Sequence, residues 1–170
     1  ESRGEIFSED HVAVITGGPE VAQAFCSLPF NHLFYTGSTD VGRLVARAAA
    51  ENLTPVTLEL GGKSPNLLLP DADLARAVPP GVAAAIRNLG PSCSAPTRMI
   101  VPRARLAEVE ALAVRALEDM RVGDPTDPAT THGPSANRTQ YARVQTMIQT
   151  GIDEGAKLLS GGPGRPEGLM

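Results

Sequence analysis

Two residues of this chain are suited to chemistry by type and setting. Glu59 lies in Leu58-Glu59-Leu60-Gly61-Gly62-Lys63-Ser64-Pro65, and Cys93 follows 34 positions later in Asn88-Leu89-Gly90-Pro91-Ser92-Cys93. A carboxylate can serve as a general base and a thiolate is a strong nucleophile, so the pair suggests covalent chemistry at a carbonyl carbon. Each also has a plainer reading. Glu59 fits a strand-end carboxylate paired with Lys63, and a single cysteine is ordinarily a small buried apolar group. Position favours function for Glu59, at the C-terminal end of a strand before a Gly-Gly turn, where open α/β sheets bind ligands. Cys93 follows a Gly-Pro turn that reads as the start of a short helix, whose N–H groups would stabilise a thiolate.

The elements that must place these residues read as α/β. His11–Ile15 is a short buried strand by pattern, and Gly17-Gly18-Pro19-Glu20 opens a helix to about Ser27, with proline suited to the first turn. His32–Tyr35 is a second strand, ended by Thr36-Gly37-Ser38-Thr39. The next helix carries Val41, Leu44, Val45, Ala48 and Ala49 on one face, with Ser38 or Thr39 as cap. Val56–Leu60 is a third strand, so the first 60 residues alternate as in an open parallel sheet, half of a nucleotide-binding architecture. Beyond it follow a strand at Asn66–Leu69 and a helical region from Leu74 to about Leu89 that Pro79-Pro80 should break or kink. A strand at Arg98–Val101 precedes the longest helix, Arg105–Met120. A turn-rich Gly123–Pro128, a helix from Thr139 to about Glu154 capped within Ser135–Arg138, and a strand beginning at Ala156–Leu159 complete the chain.

At the handover from second strand to helix, Tyr35-Thr36-Gly37-Ser38-Thr39-Asp40-Val41-Gly42 can turn unpaired backbone N–H groups and the positive helix end toward an anion such as pyrophosphate. The same glycines, and Gly17-Gly18, also fit simple turn geometry, and the G-x-G-x-x-G fingerprint is absent. A net charge of −4 with scattered basic residues argues against nucleic acid and membrane partners. The longest nearly apolar stretch, Val78–Ile86, is far short of the ~20 residues a spanning helix needs. Two distant cysteines form no disulfide framework, which suits a reduced, cytoplasmic setting. Cys26 sits on an apolar helical face as a structural thiol, and His11, His32 and His132 lack metal-ligand spacing, so no metal is expected. The chain begins at Glu1 without an initiator Met and stops without a closing element, and so reads as a piece of something larger.

Together these segments resemble the NAD(P)-dependent aldehyde dehydrogenase superfamily over nearly the whole chain. Tyr35-Thr36-Gly37-Ser38 with Val41-Gly42 is similar to its cofactor-phosphate turn. Glu51-Asn52-Leu53 through Val56-Thr57-Leu58-Glu59-Leu60-Gly61-Gly62-Lys63-Ser64-Pro65 is similar to its glutamate signature, and Asn88-Leu89-Gly90 with Cys93 to its cysteine signature. Gly123-Asp124-Pro125 and Gly133-Pro134 match as well. The flavour is closest to bacterial members that include coniferyl-aldehyde-type dehydrogenases.

The resemblance implies a Rossmann-like parallel-sheet cofactor domain, whose C-terminal part is residues 1–60, followed by the first part of an α/β catalytic domain in 61–170. It implies an aldehyde substrate, NAD or NADP, a homo-oligomer in the full-length protein, Cys93 as nucleophile and Glu59 as the base that hydrolyses a thioester. Gly37 and Ser38 would contact pyrophosphate beside Gly42, Val41 and Gly17 would lie near the adenosine, and the Leu60 backbone would approach the nicotinamide. Pro91 stands where the family usually has Gln, which removes a backbone donor and re-aims the loop. The family's oxyanion asparagine, its ribose-reading lysine and its Glu-x-Phe-Gly-Pro segment fall outside this sequence. A catalytically silent homologue that binds nucleotide or serves as an oligomer partner is the alternative. A CoA-acylating relative generally lacks a base at the position of Glu59.

Overall fold

The computed structural model describes residues 7–8 and 10–164. They divide into two compact α/β units, Glu1–Gly61 and Gly62–Met170. In the first, Pro19 opens helix α1 (Pro19–Cys26), where its missing N–H is no loss. Strands β1 (Leu33–Gly37) and β2 (Val56–Leu60) are joined through helix α2 (Thr39–Ala50). The strands pair in parallel, Leu33 opposite Val56 through Gly37 opposite Leu60, and α2 supplies the crossover that a parallel pair requires. Side chains alternate along a strand, which puts Leu33, Tyr35, Val56 and Leu58 toward the helices. There Leu33, Val45 and Ala49 form a buried core with Cys26 and Phe30 packed against it. Phe34, Thr36, Thr57 and Glu59 take the opposite face. Buried Thr54 is satisfied, its hydroxyl donating to the Phe30 carbonyl at 3.0 Å and its N–H to Ala49 O at 3.0 Å.

In the second unit, β3 (Pro65–Leu67) and β4 (Arg98–Ile100) form another parallel pair on which helices α3 (Leu74–Ile86) and α4 (Leu106–Leu117) pack. Asp73 caps α3 by accepting from the Arg76 N–H. The core is Leu68, Leu74, Val78 and Val109, with Met99, Val101 and Leu112 against it. Arg105 ties α4 to the β3–α3 loop: its guanidinium donates to Pro70 O (3.3 Å) and Ala72 O (2.8 Å) and grips Glu108 through two bonds of 3.0 and 3.1 Å. The longest helix is α5 (Arg138–Asp153), capped by Asn137, which accepts from the Gln140 N–H at 2.8 Å.

Several sequence expectations are corrected. His11–Ile15 forms no strand; Ile15 is 62% exposed, and the apolar segment has no ladder partner among the described residues. Ala156–Leu159 is likewise not a strand. The Pro79-Pro80 pair does not break α3, because Val78 and Gly81 on either side are buried and the carbonyls deprived of partners, those of Ala75 and Arg76, belong to exposed residues. The α-helix itself ends at Ile86 and a 3₁₀ turn, Arg87–Leu89, carries the helical region on to Leu89; α4 starts at Leu106 after another 3₁₀ turn, Arg103–Arg105, and is shorter than α5. On α2 only Val45 and Ala49 of the anticipated stripe are fully buried; Leu44 is 59% exposed and Val41 is exposed as well.

Candidate active site

The turn expected to face an anion lies in the first unit. Ser38 caps α2, its Oγ accepting from the Val41 N–H at 3.3 Å while its carbonyl accepts from the Gly42 N–H at 2.9 Å. The N–H groups of Thr39 and Asp40 have no partner among the described residues. They point out of a helix N-terminus, where backbone donors and the helix dipole favour an anion. Asp40 would oppose such a guest, but its carboxylate is paired with Arg43 at 3.1 Å.

Three glycines singled out in the sequence differ in setting. A Cβ on Gly37 would collide with the phenol of Tyr35, so the strand end must stay bare. A Cβ on Gly17 would come 2.5 Å from Val21 Cγ2 in the first turns of α1. Gly42 is buried under Leu60, whose Cδ2 would be 2.7 Å from an added Cβ, so packing alone explains its smallness. The same contact holds the Leu60 side chain against α2. Glu59, opposite Thr36 in the ladder, is exposed on the face away from the helices and makes no ion pair among the described residues.

The thiol loop belongs to the second unit. After Ile86 the chain reverses its hand: Asn88 (φ 54°), Leu89 (φ 62°) and Gly90 (φ 85°) are successive left-handed residues, closed by the Gly90 N–H donating to Arg87 O at 3.0 Å. Glycine adopts this freely and asparagine readily, whereas a leucine there costs about 1–2 kcal/mol. Pro91 follows with its φ fixed by the ring. Cys93 is exposed in a turn closed by the Ala95 N–H on Ser92 O at 3.1 Å, not at the helix start that the sequence suggested. Ala95, 3% exposed, anchors the loop's far side. The Ser92 and Ser94 hydroxyls are 3.2 Å apart. A Cβ added to Gly62 would lie 4.0 Å from the Cys93 carbonyl, so Gly62 and the thiol loop are neighbours within the second unit.

An exposed thiol thus sits on a left-handed, proline-braced loop, and a bare strand end lies beneath a capped helix. Residues 6–170 match the model of the aldehyde dehydrogenase family. The chain belongs to that family. Among curated relatives of this aldehyde dehydrogenase chain, a 3-succinoylsemialdehyde-pyridine dehydrogenase of Pseudomonas sp. is 49% identical over 153 residues, 89% of this chain and 32% of its own length. Aldehyde dehydrogenase C of Pseudomonas syringae, solved as a cysteine-to-alanine mutant with NAD+ and octanal, is 60% identical with a TM-score of 0.87, covering 91% of this chain and 32% of that one. A Mycobacterium tuberculosis aldehyde dehydrogenase solved with NAD+ is 47% identical with a TM-score of 0.85, over 90% and 32% of the two chains. The chain thus spans about a third of the length of the relatives it matches.

Among the described residues, no group of three or more His, Cys, Asp and Glu side chains could hold a metal, and no helix is long and apolar enough to cross a membrane. Cys26 is half-buried against the first core.

Proposed function

We propose that the protein carrying this chain oxidises an aldehyde to a carboxylic acid with NAD or NADP. The observation that carries this reading is the family match over residues 6–170. The relative solved with NAD+ and octanal supports both the cofactor and an aldehyde substrate. The division into Glu1–Gly61 and Gly62–Met170 supports a cofactor-domain portion followed by a catalytic-domain portion. A homo-oligomer in the cytoplasm fits the same reading.

The residues present suit a dinucleotide: Gly37 clears the strand end, the free N–H groups of α2 await an anion, and exposed Val41 and Gly17 offer surface for the adenosine. When bound, the nicotinamide supplies the hydride acceptor. The Cys93 thiolate adds to the aldehyde carbon, forming a C–S bond and an oxyanion. Collapse of that oxyanion re-forms the carbonyl as the C–H bond breaks with its electron pair, leaving a thioester on Cys93. Glu59 then takes a proton from water as it attacks the thioester, and the acid departs with return of the thiolate.

Mass spectrometry after exposure to NAD and an aldehyde tests these roles. Glu59→Gln should slow deacylation about 10²- to 10⁴-fold and leave an acyl adduct on Cys93, whereas Cys93→Ala should give neither adduct nor NADH. Undiminished turnover in Cys93→Ala would sink the proposal, and cofactor binding without turnover in the unaltered protein would favour the silent homologue.

A further inference from the structure

The tip of the thiol loop is held by two bonds that span the same stretch of chain. In the turn from Ser92 to Ala95 the Ala95 N–H donates to Ser92 O at 3.1 Å. The hydroxyls of Ser92 and Ser94, the residues on either side of Cys93, are 3.2 Å apart, one donating to the other. Both flanks of the tip are fixed. Before it, the Gly90 N–H is closed on Arg87 O at 3.0 Å and the φ of Pro91 is set by its ring. After it, Ala95 is 3% exposed and its carbonyl accepts from the Thr97 N–H at 2.9 Å. Cys93 and Ser94 themselves are exposed, so hydrogen bonds rather than packing must restrain them.

Serines in turns ordinarily bond backbone groups a few residues away. Among the described residues these two bond each other instead. A side-chain bridge from the residue before Cys93 to the residue after it closes a ring through the backbone torsions on both sides of the cysteine, and those torsions aim its Cα–Cβ bond. The Ala95–Ser92 bond spans them as well, so the direction of the thiol is set by two ties where a plain turn has one. Restraint there has leverage, because a reacting group misplaced by about 1 Å can lose about 10²-fold in rate.

We propose that Ser92 and Ser94 are positioning residues, whose hydroxyl bridge holds the Cys93 thiol in the direction from which it adds to the aldehyde carbon. The inference rests on Cys93 as the nucleophile of the reaction proposed above and goes beyond it by adding two residues that act through the cysteine. Neither hydroxyl needs to touch the substrate or carry a proton.

Pre-steady-state kinetics of the full-length protein test the bridge, with saturating cofactor and the fastest aldehyde of a panel that includes octanal, read by nicotinamide absorbance. Loss of one neutral hydrogen bond predicts that Ser92→Ala and Ser94→Ala each slow the first reduction of the cofactor about fivefold, with KM for the aldehyde unchanged. Because the two hydroxyls make one bond, the double variant should be no slower than either single one. Ser94→Thr, which keeps the hydroxyl, should restore the rate, and the pH profile of the step should keep its midpoint in every variant. Unchanged rates in both alanine variants would overturn the bridge, as would losses that multiply in the double variant or a Ser94→Thr protein as slow as Ser94→Ala; each of these leaves the aldehyde dehydrogenase reading intact. Absence of turnover across the panel in the unaltered protein would remove the nucleophile that the bridge aims, and the role of the bridge with it.

Discussion

Gly37 and Gly42 are small for different reasons, one to clear a strand end beneath Tyr35 and one to admit the Leu60 methyls, although the sequence displays them as one motif. Leucines in left-handed geometry show a similar division. Leu89 lies four residues before Cys93, where strain shapes the thiol loop, but Leu53 (φ 53°) is 90% exposed and merely ends α2. Leu53→Gly should therefore stabilise the protein: relief of the backbone strain exceeds the added unfolded-state freedom of glycine by about 0.5 kcal/mol. An upward shift of the denaturant midpoint at unchanged slope is the expected result. Glu59 and Cys93 were legible as residue types at a telling separation. The left-handed run before Cys93 was not, because only Gly90 signals positive φ and Asn88-Leu89 also suits the end of an ordinary helix.

Among the elements, α3 carries the largest packing load. Leu74, at its first position, is buried almost completely, and Leu74→Ala should cost about 2–5 kcal/mol in chemical denaturation. Leu67→Ala on β3, where the side chain is 63% exposed, should stay within about 0.5 kcal/mol. The Gly123–Pro128 connection is ordered by Asp124, whose Oδ1 accepts from the Thr126 N–H at 2.8 Å and the Thr126 hydroxyl at 2.7 Å. Those bonds, the backbone one foremost, hold its carboxyl below the ordinary value of 3.8. Because the folded-state value is depressed, the stabilisation is complete above the ordinary carboxylate range and is lost as pH falls through the lower folded value. An NMR titration of the Asp124 carboxyl carbon should show a midpoint below 3.8 that Thr126→Val raises; a midpoint at or above 3.8 in the unaltered protein would refute the turn's role. Periodicity found most of the helices and strands, since each covers a core with one face. It failed at His11–Ile15 and Ala156–Leu159, where an apolar segment looks like a strand but the ladder depends on a partner. It also overstated the effect of Pro79-Pro80, because the burial of neighbouring side chains is not visible in a sequence.

At the level of the whole molecule, each unit has its own buried cluster and its own two-stranded sheet, and the α/β alternation that produces both could be read from the first 60 residues onward. Both ladders are parallel, joining Leu33 to Val56 and Pro65 to Arg98. Among the described residues no hairpin is available as a quick local nucleus. Before any inter-strand bond forms, the chain must close a long loop and lose its entropy, and the crossover helices alone are too short to be stable in water. Refolding followed by stopped-flow circular dichroism should therefore take milliseconds to seconds rather than microseconds. During that delay Phe34, Leu67 and Ile100 stay uncovered on nascent strands, so yield on dilution from denaturant should fall as protein concentration rises, a kinetic competition between search and self-association.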